Sequence, residues 1–175
     1  MPDTRPVPGR PAPDLKLDLI IDAEWDLAEQ DPGAFTMIMF YRGVHCPICR
    51  SFLTDLRGMY DDFLSKGVEV INVSMDTHEK ATKAHEEWGL DPIPMGYALT
   101  EEQARAWGLY LSEGRTDAEP ETFSEPGLAL VTPDGTLYMV ETSSAPFLRP
   151  DLKLLLSKID MIREKDYPPR GTLAG

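Results

Sequence analysis

The chain alternates apolar runs of strand length with segments whose apolar residues recur at helical spacing. "AFTMIMFY" (34–41) is continuously apolar and preceded by turn residues, the pattern of a strand covered on both faces. Beyond it, Phe52, Leu53, Leu56, Met59, Tyr60, Phe63 and Leu64 fall on one helical face, and Gly67 marks the stop. "VEVINVSMD" (68–76) reads as a second buried strand, followed by a polar helix over roughly 77–88 that closes at Gly89. "MGYAL" (95–99) has the look of a short strand. "TEEQARAWG" (100–108) reads as a short helix with Thr100 at its N-cap and Gln103 at the reciprocal position. "LALV" and "TLYMVE" flank a Pro-Asp-Gly turn and predict a hairpin, and "RPDLKLLLSKIDMIREKD" predicts a closing helix with Leu152, Leu155, Leu156, Ile159 and Ile162 inward. "DLKLDLIID" (14–22) adds a short strand or hairpin near the start. The acidic, apolar-poor stretch 112–126 carries no period and is expected to be a loop.

This order makes an α/β sheet with a mixed edge, flanked by helices. With 175 residues and no interdomain linker in view, the expectation is one domain over 1–175, with an N-terminal arm at 1–13 and a tail at 167–175. The net charge of −13 argues against nucleic acid or an anionic membrane as partner, since both require clustered Lys and Arg. No apolar run reaches the length of a membrane span, and the Pro-rich beginning lacks the apolar core of a signal peptide, so the expected location is cytoplasmic.

The only two cysteines, Cys46 and Cys49, sit where the first buried strand hands over to a helix. Pro47 suits the first helical position, where a missing N–H costs nothing. Cys46 therefore faces free backbone N–H groups and the positive end of the helix dipole, which favour thiolate. Cys49 lies one turn on, within disulfide reach. The expectation is an exposed, acidic sulfur with a shielded one behind it. Arg42 and His45 flank the pair and could add positive charge. Ile48, between the cysteines, supplies none, so the shift is expected to be mild. A structural zinc site is the other reading, but it needs four ligands, and only His78 and His85, seven apart with no shared helical face, could join. Haem attachment needs a histidine where Arg50 stands. Neither a metal nor another cofactor is expected.

The motif "FYRGVHCPICR" after a hydrophobic strand resembles the thioredoxin-fold superfamily and, within it, the peroxiredoxin-like (AhpC/TSA) family. "VEVINVSMDTHEKATKAHEEWGL", "PGLALVTPDGTLYMVE" and "FLRPDLKLLLSKI" are similar to that fold's later segments, so the resemblance covers most of residues 8–172. It implies a thioredoxin-like mixed sheet flanked by helices, Cys46 as the attacking cysteine and Cys49 as the resolving one. It also departs from the family pattern. Peroxiredoxins carry Pro and Thr or Ser seven and three residues before the attacking cysteine, where this chain has Met39 and Gly43. The family's arginine before the late hairpin is replaced by Pro126, leaving Arg42 or Arg149 as spatial substitutes. Pro126 instead resembles the cis-proline of thioredoxin, which implies a cis bond before it.

Two activities follow from the resemblance. One is thiol–disulfide exchange at the Cys46–Cys49 couple. The other is a thiol peroxidase reducing hydrogen peroxide or organic hydroperoxides. A third reading is a non-catalytic binding scaffold on the same fold. The first two imply a small thiol or protein dithiol as reductant and a peroxide or disulfide as substrate. Analogy with the family implies a homodimer.

Overall fold

A computed structural model of the chain describes residues 5–174; residues 1–4 of the arm and Gly175 of the tail lie outside the described residues. The strands are β1 (Lys16–Leu19), β2 (Ala23–Asp26), β3 (Phe35–Phe40), β4 (Val68–Val73), β5 (Met95–Tyr97), β6 (Leu111–Glu113), β7 (Thr122–Ser124), β8 (Gly127–Val131) and β9 (Leu137–Thr142). The helices are α1 (Pro47–Ser65), α2 (His78–Glu87), α3 (Glu101–Ala106) and α4 (Leu152–Glu164). Seven strands form one sheet in the order β2-β1-β5-β4-β3-β8-β9, while β6 and β7 pair only with each other.

The centre of the sheet is where the longest apolar runs fall. All six residues of β3 are buried; it pairs parallel to β4 on one side and antiparallel to β8 on the other. Because strand side chains alternate, β3 serves two cores at once. Phe35, Met37 and Met39 face α1 and α4, against Leu53, Leu56, Phe63 and Ile159. Ile38 and Phe40 face the other way, toward the β1–β2 hairpin and Trp107. The thioredoxin-like mixed sheet flanked by helices is therefore present as expected.

Local signals hold where they have a mechanism. Thr100 and Gln103 make the reciprocal capping box at α3. Gly67 ends the α1 crossover with φ +82, and a Cβ there would stand 3.0 Å from the Ala34 backbone nitrogen. Of the inward residues on α4, Leu152 and Ile159 are buried, and Leu155, Leu156 and Ile162 pack partly buried against the same core. The arm lies along the start of β9, with Gly9 N–H donating to the Leu137 carbonyl at 2.8 Å and Leu137 N–H to the Arg10 carbonyl at 2.9 Å.

Two expectations are corrected. The stretch 112–126 is not a plain loop: Leu111–Glu113 and Thr122–Ser124 pair as an antiparallel ribbon. Three residues per strand are too few to display a period, and the ribbon's apolar anchor is one buried ring, Phe123. The bond before Pro126 is trans; the one cis peptide among the described residues is Asp91–Pro92. Glu125 N–H donates to the Tyr110 carbonyl and the Pro126 carbonyl accepts from Ser143 N–H, so the chain runs extended from the ribbon straight into β8.

Since Ile159 is fully buried where α4 meets the sheet, Ile159→Ala should cost about 2–5 kcal/mol. Urea unfolding checks this: a change within error would mean that α4 does not close this face.

Candidate active site

The turn between β3 and α1 is built around a glycine. Gly43 has φ +142, and a Cβ on it would stand 2.6 Å from Asp76 Oδ1 and 3.0 Å from His45 Nδ1. That close approach lets Asp76, at the end of the β4 segment, accept the Val44 N–H through Oδ2 at 2.8 Å. Burial raises the Asp76 pKa, and this bond and the nearby Lys80 charge oppose the rise. Cys46 N–H then returns to the Gly43 carbonyl at 3.1 Å, and the chain enters α1 with Cys46 as N-cap and Pro47 in the first turn.

Cys46 Sγ occupies the place of a capping oxygen. It accepts the Cys49 N–H at 3.2 Å. Cys49 Sγ accepts two donors, the Arg42 backbone N–H at 3.4 Å and Arg149 Nη2 at 3.2 Å. The two sulfurs are free thiols rather than a disulfide.

Their acidities are driven apart. A hydrogen bond from the Cys49 thiol, the Cys49 backbone N–H and the Arg42 guanidinium together outweigh burial and bring the Cys46 pKa down to about 5. Burial and the neighbouring Cys46 charge push the Cys49 pKa far up. The shifts favour a thiolate at Cys46 beside a thiol at Cys49 at neutral pH. The uncharged Ile48 did not keep the shift mild, because the Cys49 hydrogen bonds lead it and Arg42 adds the charge that Ile48 lacks.

Arg42 is the pivot of the site. Its Nε lies 2.9 Å from Glu125 Oε2, with side chains 14% and 5% exposed, and its Cζ sits 4.8 Å from the Phe123 ring centroid. Burial opposes the guanidinium charge, but the Cys46 thiolate and Glu125 outweigh it and raise the Arg42 pKa. Glu125 Oε1 in turn accepts the Ser112 hydroxyl at 2.9 Å. The His45 ring packs edge-on against Phe123 at 4.8 Å. Burial and the nearby Arg42 lower its pKa, which disfavours a positive charge on the ring beside the sulfur.

The structure thus brings Arg42, His45, Pro47 and Arg149 to the cysteine pair. Pro126 is buried beside Glu125 and lines an apolar groove of about 1220 Å³ between β9 and α4. Met39, Phe52 and Arg149 share that wall, and Arg149 Cζ lies 5.3 Å from the Phe52 ring centroid. One expectation fails: Cys46 is not exposed. Its surface is 1% accessible and that of Cys49 is 0%, because Arg42 and the ribbon behind it stand where an open helix N-terminus would meet water. His78, a possible ligand by type, is occupied by the Ile20 carbonyl and the Tyr97 ring, and no cluster of three metal-ligating side chains occurs among the described residues. Sequence reasoning missed Glu125, Phe123 and Asp76. The acid before Pro126 was in view, but nothing local says that residue 125 reaches residue 42.

Comparison with known proteins agrees with this fold. Residues 8–140 match the family model described as the AhpC/TSA family. A cysteine-to-serine mutant of the peroxiredoxin 6 of Arenicola marina superposes with a TM-score of 0.76 at 17% identity, covering 93% of this chain and 76% of that one. The reduced 2-Cys peroxiredoxin of Plasmodium vivax gives 0.71 at 17% identity, covering 93% and 85%. The peroxidoxin BcpB of Mycobacterium tuberculosis gives 0.72 at 16% identity, covering 90% and 98%. No curated protein matches the chain by sequence.

The acidity of Cys46 gives a signed expectation. Its alkylation rate should be flat at neutral pH and fall tenfold per unit once pH drops below about 5. Arg42→Met removes a neighbouring opposite charge and should move that midpoint upward by about 1–3 units. Rates with iodoacetamide, mapped by mass spectrometry, check both; a wild-type midpoint at an ordinary thiol value of about 8.5 would contradict the geometry.

Proposed function

Because the chain belongs to the AhpC/TSA family and is a peroxiredoxin-like thiol oxidoreductase, we propose that its particular activity is dithiol–disulfide exchange. The observation behind this reading is the polarised pair: an acidic Cys46 whose sulfur accepts the Cys49 N–H, and a thiol at Cys49 already bonded to two donors. The Cys46 thiolate attacks one sulfur of a substrate disulfide. A bond to Cys46 Sγ forms, the substrate S–S bond breaks, and the leaving sulfur departs as thiolate. Cys49 then attacks Cys46 Sγ, its proton going to the second departing sulfur, and the products are a Cys46–Cys49 disulfide and a substrate reduced by two electrons. Arg149, 3.2 Å from Cys49 Sγ, steadies the negative charge that Cys49 must carry for that step. A small thiol or a protein dithiol returns the couple to the reduced form.

A peroxidase reading draws its support from the family. A hydroperoxide would lose its terminal oxygen to Cys46, giving sulfenic acid and an alcohol or water, and Cys49 would condense with the sulfenic acid, releasing water. Against it stand Met39 where the family pattern has Pro, Gly43 where it has a hydroxyl-bearing Thr or Ser, and an Arg42 already paired with Glu125. The same reading takes 1–175 as one domain. A reducing compartment such as the cytosol suits a couple that must be reset, and a homodimer remains the expectation by analogy.

Two measurements separate the readings. Cys49→Ser should accumulate a covalent mixed disulfide at Cys46 when offered a protein disulfide, visible by intact mass under non-reducing conditions. Stopped-flow oxidation of the wild type by hydrogen peroxide should be no faster than that of a simple thiolate. Rapid oxidation by peroxide with no trapped adduct would reverse the assignment.

A further inference from the structure

A nucleophile has to touch its reactant, yet Cys46 is 1% exposed. The Arg42 guanidinium lies within hydrogen-bond reach of that sulfur, and what holds Arg42 from the far side is the end of β7 and the residue just past it. Phe123 lies under the guanidinium at 4.8 Å and Glu125 Oε2 stands 2.9 Å from Nε. The same Phe123 ring backs His45 at 4.8 Å. One aromatic ring on β7 and one carboxylate just past its end thus hold Arg42 and His45 from the side away from the helix.

The element that carries them is separate from the main sheet. β6 and β7 pair only with each other, over three residues each. Residues 113–118 at its tip are exposed. Ser112 braces Glu125 from across the ribbon, so β6 and β7 move as a unit or not at all. A two-stranded ribbon of this size has little stability of its own, and a local unit with few ties opens at a lower free energy than the core. Its ties are the Arg42–Glu125 ion pair, the ring contacts of Phe123 and the packing of Leu111 against the core around Trp107. The ribbon enters from buried Leu109 through Tyr110 and leaves through Glu125 and Pro126 into β8. The Glu125 N–H bond to the Tyr110 carbonyl holds these two ends side by side, so the outer part of the ribbon can lift from this base while the seven-stranded sheet stays whole. The charges that face the latch are Arg42 beside Cys46, and Glu119 of the ribbon, which lies within electrostatic reach of both Arg42 and His45.

We propose that the β6–β7 ribbon is the lid of this active site, and that Phe123 and Glu125 set the size of reactant admitted to Cys46. In the closed state the lid locks Arg42 over the sulfur, which keeps the thiolate and shields it. In the open state Arg42 follows the ribbon or turns aside, and a bulky disulfide reaches Cys46. Small reagents need a brief, partial opening and bulky ones a full displacement. The inference rests on the reading of Cys46 as the nucleophile.

The test compares two thiol probes of different size, iodoacetamide and an aromatic disulfide, on the full-length protein, with the modified residue mapped by mass spectrometry. Phe123→Ala should raise the rate of the aromatic disulfide relative to iodoacetamide by about tenfold, the effect of losing a partly desolvated cation–π contact. Glu125→Gln, which keeps the shape of the side chain, should shift the same ratio in the same direction and covers the case in which Phe123→Ala fails to fold. In the wild type, amide hydrogen exchange should be faster for 111–113 and 122–124 than for β3 and β4. A probe ratio unchanged in folded variants, or ribbon amides as protected as those of β3, overturns the lid. If Cys49 rather than Cys46 takes the probe below neutral pH, the proposed chemistry itself fails, whatever the ratio does.

Discussion

The hydrogen bond from Cys49 N–H to Cys46 Sγ is the contact on which the site turns. It lets a sulfur take the role usually filled by a capping oxygen, so the same atom terminates the helix and carries the reactive charge. Helix formation and thiolate formation then support each other: the first turn of α1 needs an acceptor, and the anion needs donors. Pro47 helps by removing a donor that would have no partner in the first turn. The spacing that closes this ring also brings Cys49 within reach, so acidity and a resolving partner come from one turn of helix.

Burial makes that arrangement sharper. Away from water, each donor counts for more, and an unpaired charge costs more. The thiolate, the Arg42 guanidinium and the Glu125 carboxylate form a row of alternating sign within the protein, each charge compensated by the next. Cys49 has Arg149 beside it, but burial and the Cys46 charge outweigh that cation and hold it as the thiol. The pair is thereby asymmetric before any reactant arrives, which is what a sequential attack and resolution require.

Much of this was legible in the sequence, because the signals were local. The apolar run 34–41, the helical face from Leu53 to Phe63, the capping box at Thr100 and the Cys-Pro-Ile-Cys junction each act within a few residues, and each appears where physics places it. What was not legible depends on contacts across the chain. Glu125 meets Arg42 from 83 residues away, and Arg149 meets Cys49 from 100. Nor does sequence alone show that the acidic stretch 112–126 folds back over the helix start, since one buried ring and one buried acid leave no period. The same blindness explains the missed burial of Cys46 and the trans bond before Pro126: both follow from where that ribbon lies.

The asymmetry of the two sulfurs is the central claim, and NMR of the reduced protein with isotope-labelled cysteine β-carbons reads it without a reactant. Across a pH titration the Cys46 resonance should move through a midpoint near 5 while the Cys49 resonance keeps its thiol position through neutral and mildly alkaline pH. Two resonances titrating together near the ordinary thiol value would show that neither sulfur is held as an anion, and the account of this site would be wrong.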